Sequence, residues 1–524
     1  MVKCTNVLNS GLGAKSRTTE KRPSSTVSEQ ADLIVRNGRI ATQDEHRSFA
    51  SAVAIKDGRF LWVLVVVTLL ASAPLTHAQT TRLPSPPPYQ LLRFEEDYRY
   101  LRDPGRRSDL WDPLKCTALN DAATWYLSLG GEVRERYEYF HNTNWGQGPQ
   151  DEDGYVLQRY MLHADLHLGE ALRVFGQLKS GLENERSGGP RPTDEDKLDL
   201  HQAFLDVTLA ATTSTTLVFR GGRQELLFGT QRLVSVREGP NVRQSFDGGR
   251  LILTSGATRV DVVLTVPVET NPGLFNDASD HTRLFWGIYA VRPLPLLPQG
   301  HSDLYYLGLD RKQARFDQGS GHELRHSIGT RLWGRPQPWD YNFEFVYQWG
   351  DFGRGAIQAW TAASETGYTL QAVRFHPRLG LKADIASGDH NPRDRTLQTF
   401  NALFPKGAYF GEIALIGPAN FIDLHPILDV HLTQSITVTT DWDVFWRQST
   451  RDGIYGPAIN LIRSGRTSRA RSVGSQATVQ AEWQVTRHTT LVGIYTHFFA
   501  GAFLRESGPG RDVDYVTTWV AYRF

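Results

Sequence analysis

The sequence predicts an all-β chain: a closed, membrane-spanning antiparallel β-barrel of about 18 strands (range 16–18) with long outer loops. Three observations predict it. From about residue 125 to the C-terminus, apolar and polar side chains alternate with period two. Aromatic residues (13 Trp, 19 Tyr and 25 Phe) are abundant in a chain whose mean hydropathy is −0.38. The chain ends on an amphipathic stretch closed by Phe524. A barrel in lipid needs aromatic girdles outside and a polar lumen inside, and this composition supplies both. The same hydropathy is too polar for a bundle of transmembrane helices. Lys and Arg total 57 against 56 Asp and Glu. That balance lacks the basic excess of a nucleic-acid binder, so no nucleic-acid partner is expected. The two cysteines, Cys4 and Cys116, exclude a disulfide scaffold.

The chain up to residue 124 precedes the barrel. An apolar run from Phe60 to Leu70, continuing to Ala73, follows Lys56 and Arg59 and leads into Thr76-His77-Ala78. A basic flank, a short apolar core and small residues before a cut after Ala78 identify residues 59–78 as a secretory signal peptide. The alternative is a single membrane anchor, but the run is short of the ~20 apolar residues a span requires, and Pro74 breaks it. Upstream, residues 31–40 and 52–59 resemble the opening hairpin of metal-dependent amidohydrolases, over that short stretch only. The His-x-His of that family does not follow. Residues 1–58 are therefore expected to be a mis-assigned or fused head without activity. Residues 79–124, with the Pro-rich run 84–88, form a pre-barrel segment. Residues 125–524 form the barrel.

Successive side chains of a strand point to opposite faces. In 341–349 one face is Tyr341, Phe343, Phe345, Tyr347 and Trp349, the other Asn342, Glu344, Val346 and Gln348. In 476–485, Ala477, Val479, Ala481, Trp483 and Val485 oppose Gln476, Thr478, Gln480, Glu482 and Gln484. Soluble sandwiches alternate too. The choice falls on a barrel because Trp349, Trp446 and Trp483 sit near strand ends, where interfacial belts lie. The last strand would send Val516, Thr518, Val520, Tyr522 and Phe524 outward, and its terminal Phe524 resembles the signal read by the barrel-assembly machinery. An open sheet edge is not viable in lipid, so the sheet must close. At roughly 40–50 residues per hairpin with its outer loop, residues 125–524 give about 16–18 strands. A barrel of that size is too wide for its own side chains to fill.

The inward face carries charge. The first strand presents Glu132, Arg134, Arg136 and Glu138 together. Arg173 and Lys179 oppose Leu172, Val174 and Leu178, and Arg220 opposes Leu217 and Phe219. Arg325 and Arg331 share a face with Glu323 and Ser327, and Arg447 shares one with Asp441 and Asp443. Two long loops follow, 387–424 with Lys406, and 446–474 with Arg451, Arg463, Arg466, Arg469 and Arg471. Long loops in compact proteins are usually functional, and at least one is expected to fold inward as a constriction or lid. The substrate-pathway candidates are Arg134, Arg136, Lys179, Arg220, Arg325, Arg331, Arg447, Arg451 and Lys406. Two readings stand: mutual pairing of lumenal charges, or a local electropositive pathway for an anionic polymer, since Arg and Lys rings are how anion pores select.

No catalytic residue, cofactor or metal is expected. His322-Glu323-Leu324-Arg325-His326 matches H-E-x-x-H literally, but that chemistry needs a helix, and here the period is two. His163 and His167 alternate with Leu162, Ala164, Leu166 and Leu168 and read as lumenal. There is no G-x-S-x-G elbow and no complete phosphate loop. A membrane-embedded lipid hydrolase or an adhesin is the remaining rival class.

The stretches 111–115 (WDPLK), 126–136 (YLSLGGEVRER), 176–181 (GQLKSG), 193–204 (TDEDKLDLHQAF), 404–411 (FPKGAYFG) and 446–455 (WRQSTRDGIY) resemble the alginate-export domain family. That resemblance implies a bacterial outer-membrane barrel of about eighteen strands with an Arg-rich pore that passes a uronate polymer. The implied partners are the lipid bilayer and an anionic polysaccharide. The alternative is a porin for small polar solutes.

Overall fold

The computed structural model describes residues 33–41, 49–56, 59–63 and 86–524. In the N-terminal unit, Leu33–Ala41, Phe49–Lys56 and Arg59–Val63 pair as a three-stranded antiparallel sheet. The rest of the expected head and of the expected signal peptide lies outside the described residues.

In the second unit, period-two alternation produces eighteen strands of nine to seventeen residues. They are β1 (Trp125–His141), β2 (Tyr155–Leu168), β3 (Leu172–Asn184), β4 (Asp196–Ala211), β5 (Thr215–Gln224) and β6 (Phe246–Ser255). Next come β7 (Thr258–Glu269), β8 (Arg283–Pro293), β9 (Gly300–Phe316), β10 (Gly319–Gly334), β11 (Trp339–Phe352) and β12 (Gly355–Thr369). The last are β13 (Arg378–Ala386), β14 (Phe421–His431), β15 (Ile436–Trp446), β16 (Ser472–Gln484), β17 (Thr489–Ala500) and β18 (Val513–Arg523). Each pairs antiparallel with the next. β18 returns to β1 in a register running from Asp514–His141 to Arg523–Glu132, so no edge is left open. Closure lets the backbone groups of the first and last strands pair within the wall, which a hydrocarbon surround requires.

The faces divide as the alternation predicts. Phe343, Phe345, Tyr347 and Trp349 on β11 are exposed, while Glu344, Val346 and Gln348 are buried inside. On β18, Val516 and Val520 face out, and Tyr515 and Thr517 face in. So broad an exposed apolar surface is a lipid-facing one. Exposed aromatics mark both rims: Trp125, Trp339 and Trp483 at one, Tyr137, Trp349, Trp442 and Tyr495 at the other. On β10, Glu323 and Arg325 point inward and His322 and His326 do not, so H-E-x-x-H is split between two faces.

The start of β1, the end of β18 and most short turns share one end, and the long loops 225–245, 387–420 and 447–471 leave the other. The pre-barrel segment closes the short-turn end. Arg93 donates to the Gly131 carbonyl (2.9 Å) and the Phe524 carbonyl (2.8 Å), bracing the β1–β18 seam. Gly131 is required there because a Cβ would lie 2.7 Å from the Phe524 ring.

Candidate functional site

A closed sheet of eighteen strands leaves a wide lumen, and here two loops fill much of it. Loop 225–245 carries buried Leu226, Phe228, Leu233, Val234 and Val236. Loop 387–420 carries buried Phe400, Ala402, Phe404, Phe410 and Ile413. They bond to each other: Phe404 N donates to Leu233 O (2.8 Å), and Lys406 N donates to Gln231 O (3.0 Å). Loop 387–420 crosses the barrel. Phe404 packs edge-on against Phe246 of β6 and Phe285 of β8. Phe410 packs against Phe421 of β14 and Phe445 of β15. The inward fold expected of a long loop is therefore present. Between loops and wall, a cavity of ≈ 10 Å³ lined by Arg232, Glu344, Phe400 and Tyr409 has room for about one water molecule.

The cations singled out from sequence fall into two groups. Six are buried. Arg134 donates to the carbonyls of Glu238, Gly239 and Pro240, at 3.0–3.3 Å. Arg136 pairs with Glu138 (2.7 Å) and with Glu412 of the crossing loop (2.9 Å). Lys179 lies 2.8 Å from both Asp196 and Asp277. Arg220 forks onto Asp206 at 2.7 and 2.8 Å and stacks over Phe94 and Phe204. Arg325 bonds Glu323, Gln348 and the Thr399 carbonyl. Arg447 donates to the carbonyls of Asp452, Ser468 and Ala470. The others keep exposure. Arg331 is half-buried beside Asp303 (2.9 Å), Lys406 is half-buried over the Tyr409 ring, and Arg451 is exposed. Around Arg451, the loop 447–471 also exposes Arg466, Arg469 and Arg471.

Sequence reasoning missed the loop 225–245 and the groups that anchor it. Arg159 bonds Glu132 (2.6 Å) and the Glu238 carbonyl (3.0 Å). Arg243 pairs with Glu225 (2.7 Å) and Glu238 (3.1 Å). The available signal was an apolar run, Leu226-Leu227-Phe228, followed by Leu233-Val234 and Val236, in a stretch without period two. At the inner end of that loop, Val236 meets Phe94, Phe175 and Phe204, so loop and pre-barrel segment touch within the lumen. Lys115 of the pre-barrel segment sits among Tyr89, Tyr98 and Phe524, and burial pulls its amine down to about 7.

The alginate export family model matches residues 125–518. The chain belongs to the alginate export family. A comparison with curated proteins finds no match. Among solved structures, the barrel is similar to a BenF-like porin from Pseudomonas fluorescens Pf-5 (10% identity, TM-score 0.52, 76% of this chain and 98% of that one). It is also similar to Pseudomonas aeruginosa OpdO (10%, 0.51, 76% and 97%). A third is Pseudomonas aeruginosa OccK8 (OprE) (12%, 0.50, 76% and 98%). These likenesses establish the porin-type barrel fold. As a member of the alginate export family, the protein is an outer-membrane β-barrel channel. In outer-membrane barrels short turns are generally periplasmic and long loops extracellular.

Proposed function

We propose that this channel passes an anionic, uronate-type polysaccharide outward across the outer membrane. The carrying observation is the extracellular loop 447–471: Arg451, Arg466, Arg469 and Arg471 are exposed, while its one acid, Asp452, is buried. Guanidinium forks bind carboxylates bidentately, so this rim offers a polyuronate repeated ligands. Lys406 continues positive charge to the crossing loop. Arg134, Arg136, Lys179, Arg220, Arg325, Arg331 and Arg447 serve the same path by fixing the loops and wall that shape it. Phe524 on the closing strand supports recognition by the barrel-assembly machinery. A second reading, a porin for small polar solutes, is favoured by the two loops across the lumen, which narrow it.

Planar-bilayer recording separates these readings. The expected result is anion selectivity and current block by polyuronate, with block lost when Arg451, Arg466, Arg469 and Arg471 become Ala. Cation selectivity, or block unchanged by those substitutions, would overturn the polyuronate reading. Conductance to small solutes without polymer block would establish the porin instead.

A further inference from the structure

The inner wall of β13, β14 and β15 carries a cluster that transport leaves unused. The β13–β14 register sets Asp384 directly opposite Asp423. On β14–β15 the pairs Leu424–Val444 and Ile427–Asp441 bracket His425 and Asp443, which therefore sit side by side. Like charges directly opposite across strands are destabilising. Asp384 is answered by Ser364 N (3.1 Å) and the Tyr409 hydroxyl (3.2 Å). Its neighbours are answered only at longer range, by Lys382, which stands opposite His425 in the same register and on the same face of β13 as Asp384. Asp443 is 0% exposed and Asp423 3%. Both Asp443 oxygens and Asp423 Oδ1 are without a hydrogen-bond partner. Among the described residues, no Lys or Arg nitrogen approaches either carboxylate within 4.0 Å. A buried charge left this way carries a large desolvation cost unless a cation compensates it.

We propose that Asp423, His425 and Asp443 bind a divalent transition-metal cation, with Asp441 orienting the imidazole. The donor atoms of the three ligands lie within 4.8 Å of one another. His425 Nδ1 is 3.2 Å from Asp443 Oδ2, close to the roughly 3.3 Å between ligands on a tetrahedral ion bound at ~2.0–2.1 Å. Its Nε2 is 3.2 Å from Asp441 Oδ1, within reach but not aligned as a hydrogen bond. A metal-bound imidazole commonly donates its other N–H to a carboxylate, which fixes the ring. One imidazole with two carboxylates suits zinc-like ions better than calcium, which takes oxygen ligands alone. The contrast lies across the lumen. Asp196, Asp199 and Asp277 also converge, but there the Lys179 amine already sits 2.8 Å from two of them. The proposed ion lies beside the foot of the crossing loop, since Tyr409 bonds Asp384 opposite Asp423. The inference is independent of which polymer or solute passes.

The test uses the full chain in detergent, stripped with EDTA and titrated with Zn2+ by calorimetry, with bound metal counted after dialysis. The expected result is one zinc per barrel and an affinity at least ~10-fold weaker in His425→Gln and Asp443→Asn, since even orienting partners carry 10–100-fold. Asp277→Asn should bind as the unmodified protein does. Barrel folding of each variant is checked by its heat-modifiable gel mobility. Should Asp443→Asn not fold, Asp423→Asn and a zinc-dependent rise in the unfolding temperature of the unmodified protein carry the test. No zinc at micromolar concentration, binding unaltered in both His425→Gln and Asp423→Asn, or calcium binding that zinc does not displace would each overturn the proposal.

Discussion

Arg134 shows how a lumenal cation can act without touching substrate. Its guanidinium is 3% exposed and donates to three backbone carbonyls of loop 225–245. Arg134→Ala removes one donor from each of those carbonyls, while Arg159 still serves Glu238 and Pro240 and Arg136 still serves Gly239, so the cost is about 0.5–1.5 kcal/mol for each bond lost. The loop should loosen and single-channel conductance rise, with strand content by circular dichroism unchanged. An unaltered conductance would remove Arg134 from the loop-anchoring role. Arg451 is the opposite case: exposed, with one hydrogen bond to the His390 carbonyl, it is free to meet a passing anion.

At the scale of elements, loops 387–420 and 447–471 are joined at Asp389 and Asp452. Asp389 N donates to Asp452 Oδ2 (2.9 Å), and Asp452 also accepts from Thr399 and Tyr455. Burial pushes Asp389 up to about 7 and Asp452 up to about 6, from an ordinary 3.8. Between pH 4 and 7 the packed loops therefore hold protons that the unpacked loops release. Packing stability is full below that window and falls as pH rises through it. Amide protection factors in 387–420 and 447–471, corrected for the intrinsic base-catalysed rate, should be lower at pH 8 than at pH 5, and Asp389→Asn with Asp452→Asn should flatten the difference. Equal protection factors at both pH values in the unmodified protein would refute the linkage.

At the scale of the molecule, the wall and its filling are separable. The wall is held by eighteen antiparallel pairings in a closed circuit, which do not pass through loop 387–420. That loop is held by aromatic contacts to β6, β8, β14 and β15. Replacing 387–420 with a short turn should leave a folded, heat-modifiable barrel whose conductance is several-fold larger. A variant that folds yet conducts as before would mean the crossing loop does not constrict the path.

The wall was legible in the sequence because a strand's faces follow from its own alternation: Phe343 and Phe345 outside, Glu344 and Gln348 inside, need no other part of the chain. The amphipathic last strand and the length of 387–420 were legible for the same local reason. What each inward charge meets was not. Alternation places Arg134 inside, but whether it faces water or a carbonyl depends on Glu238, 104 residues away. The grouping of Asp423 and His425 with Asp443 likewise exists only in the β14–β15 register. The sequence by itself determined the faces of the barrel, because side-chain direction is set by the backbone repeat. Only the tertiary structure decided which lumenal charges are paired, because a partner within hydrogen-bond reach is a property of folded distance.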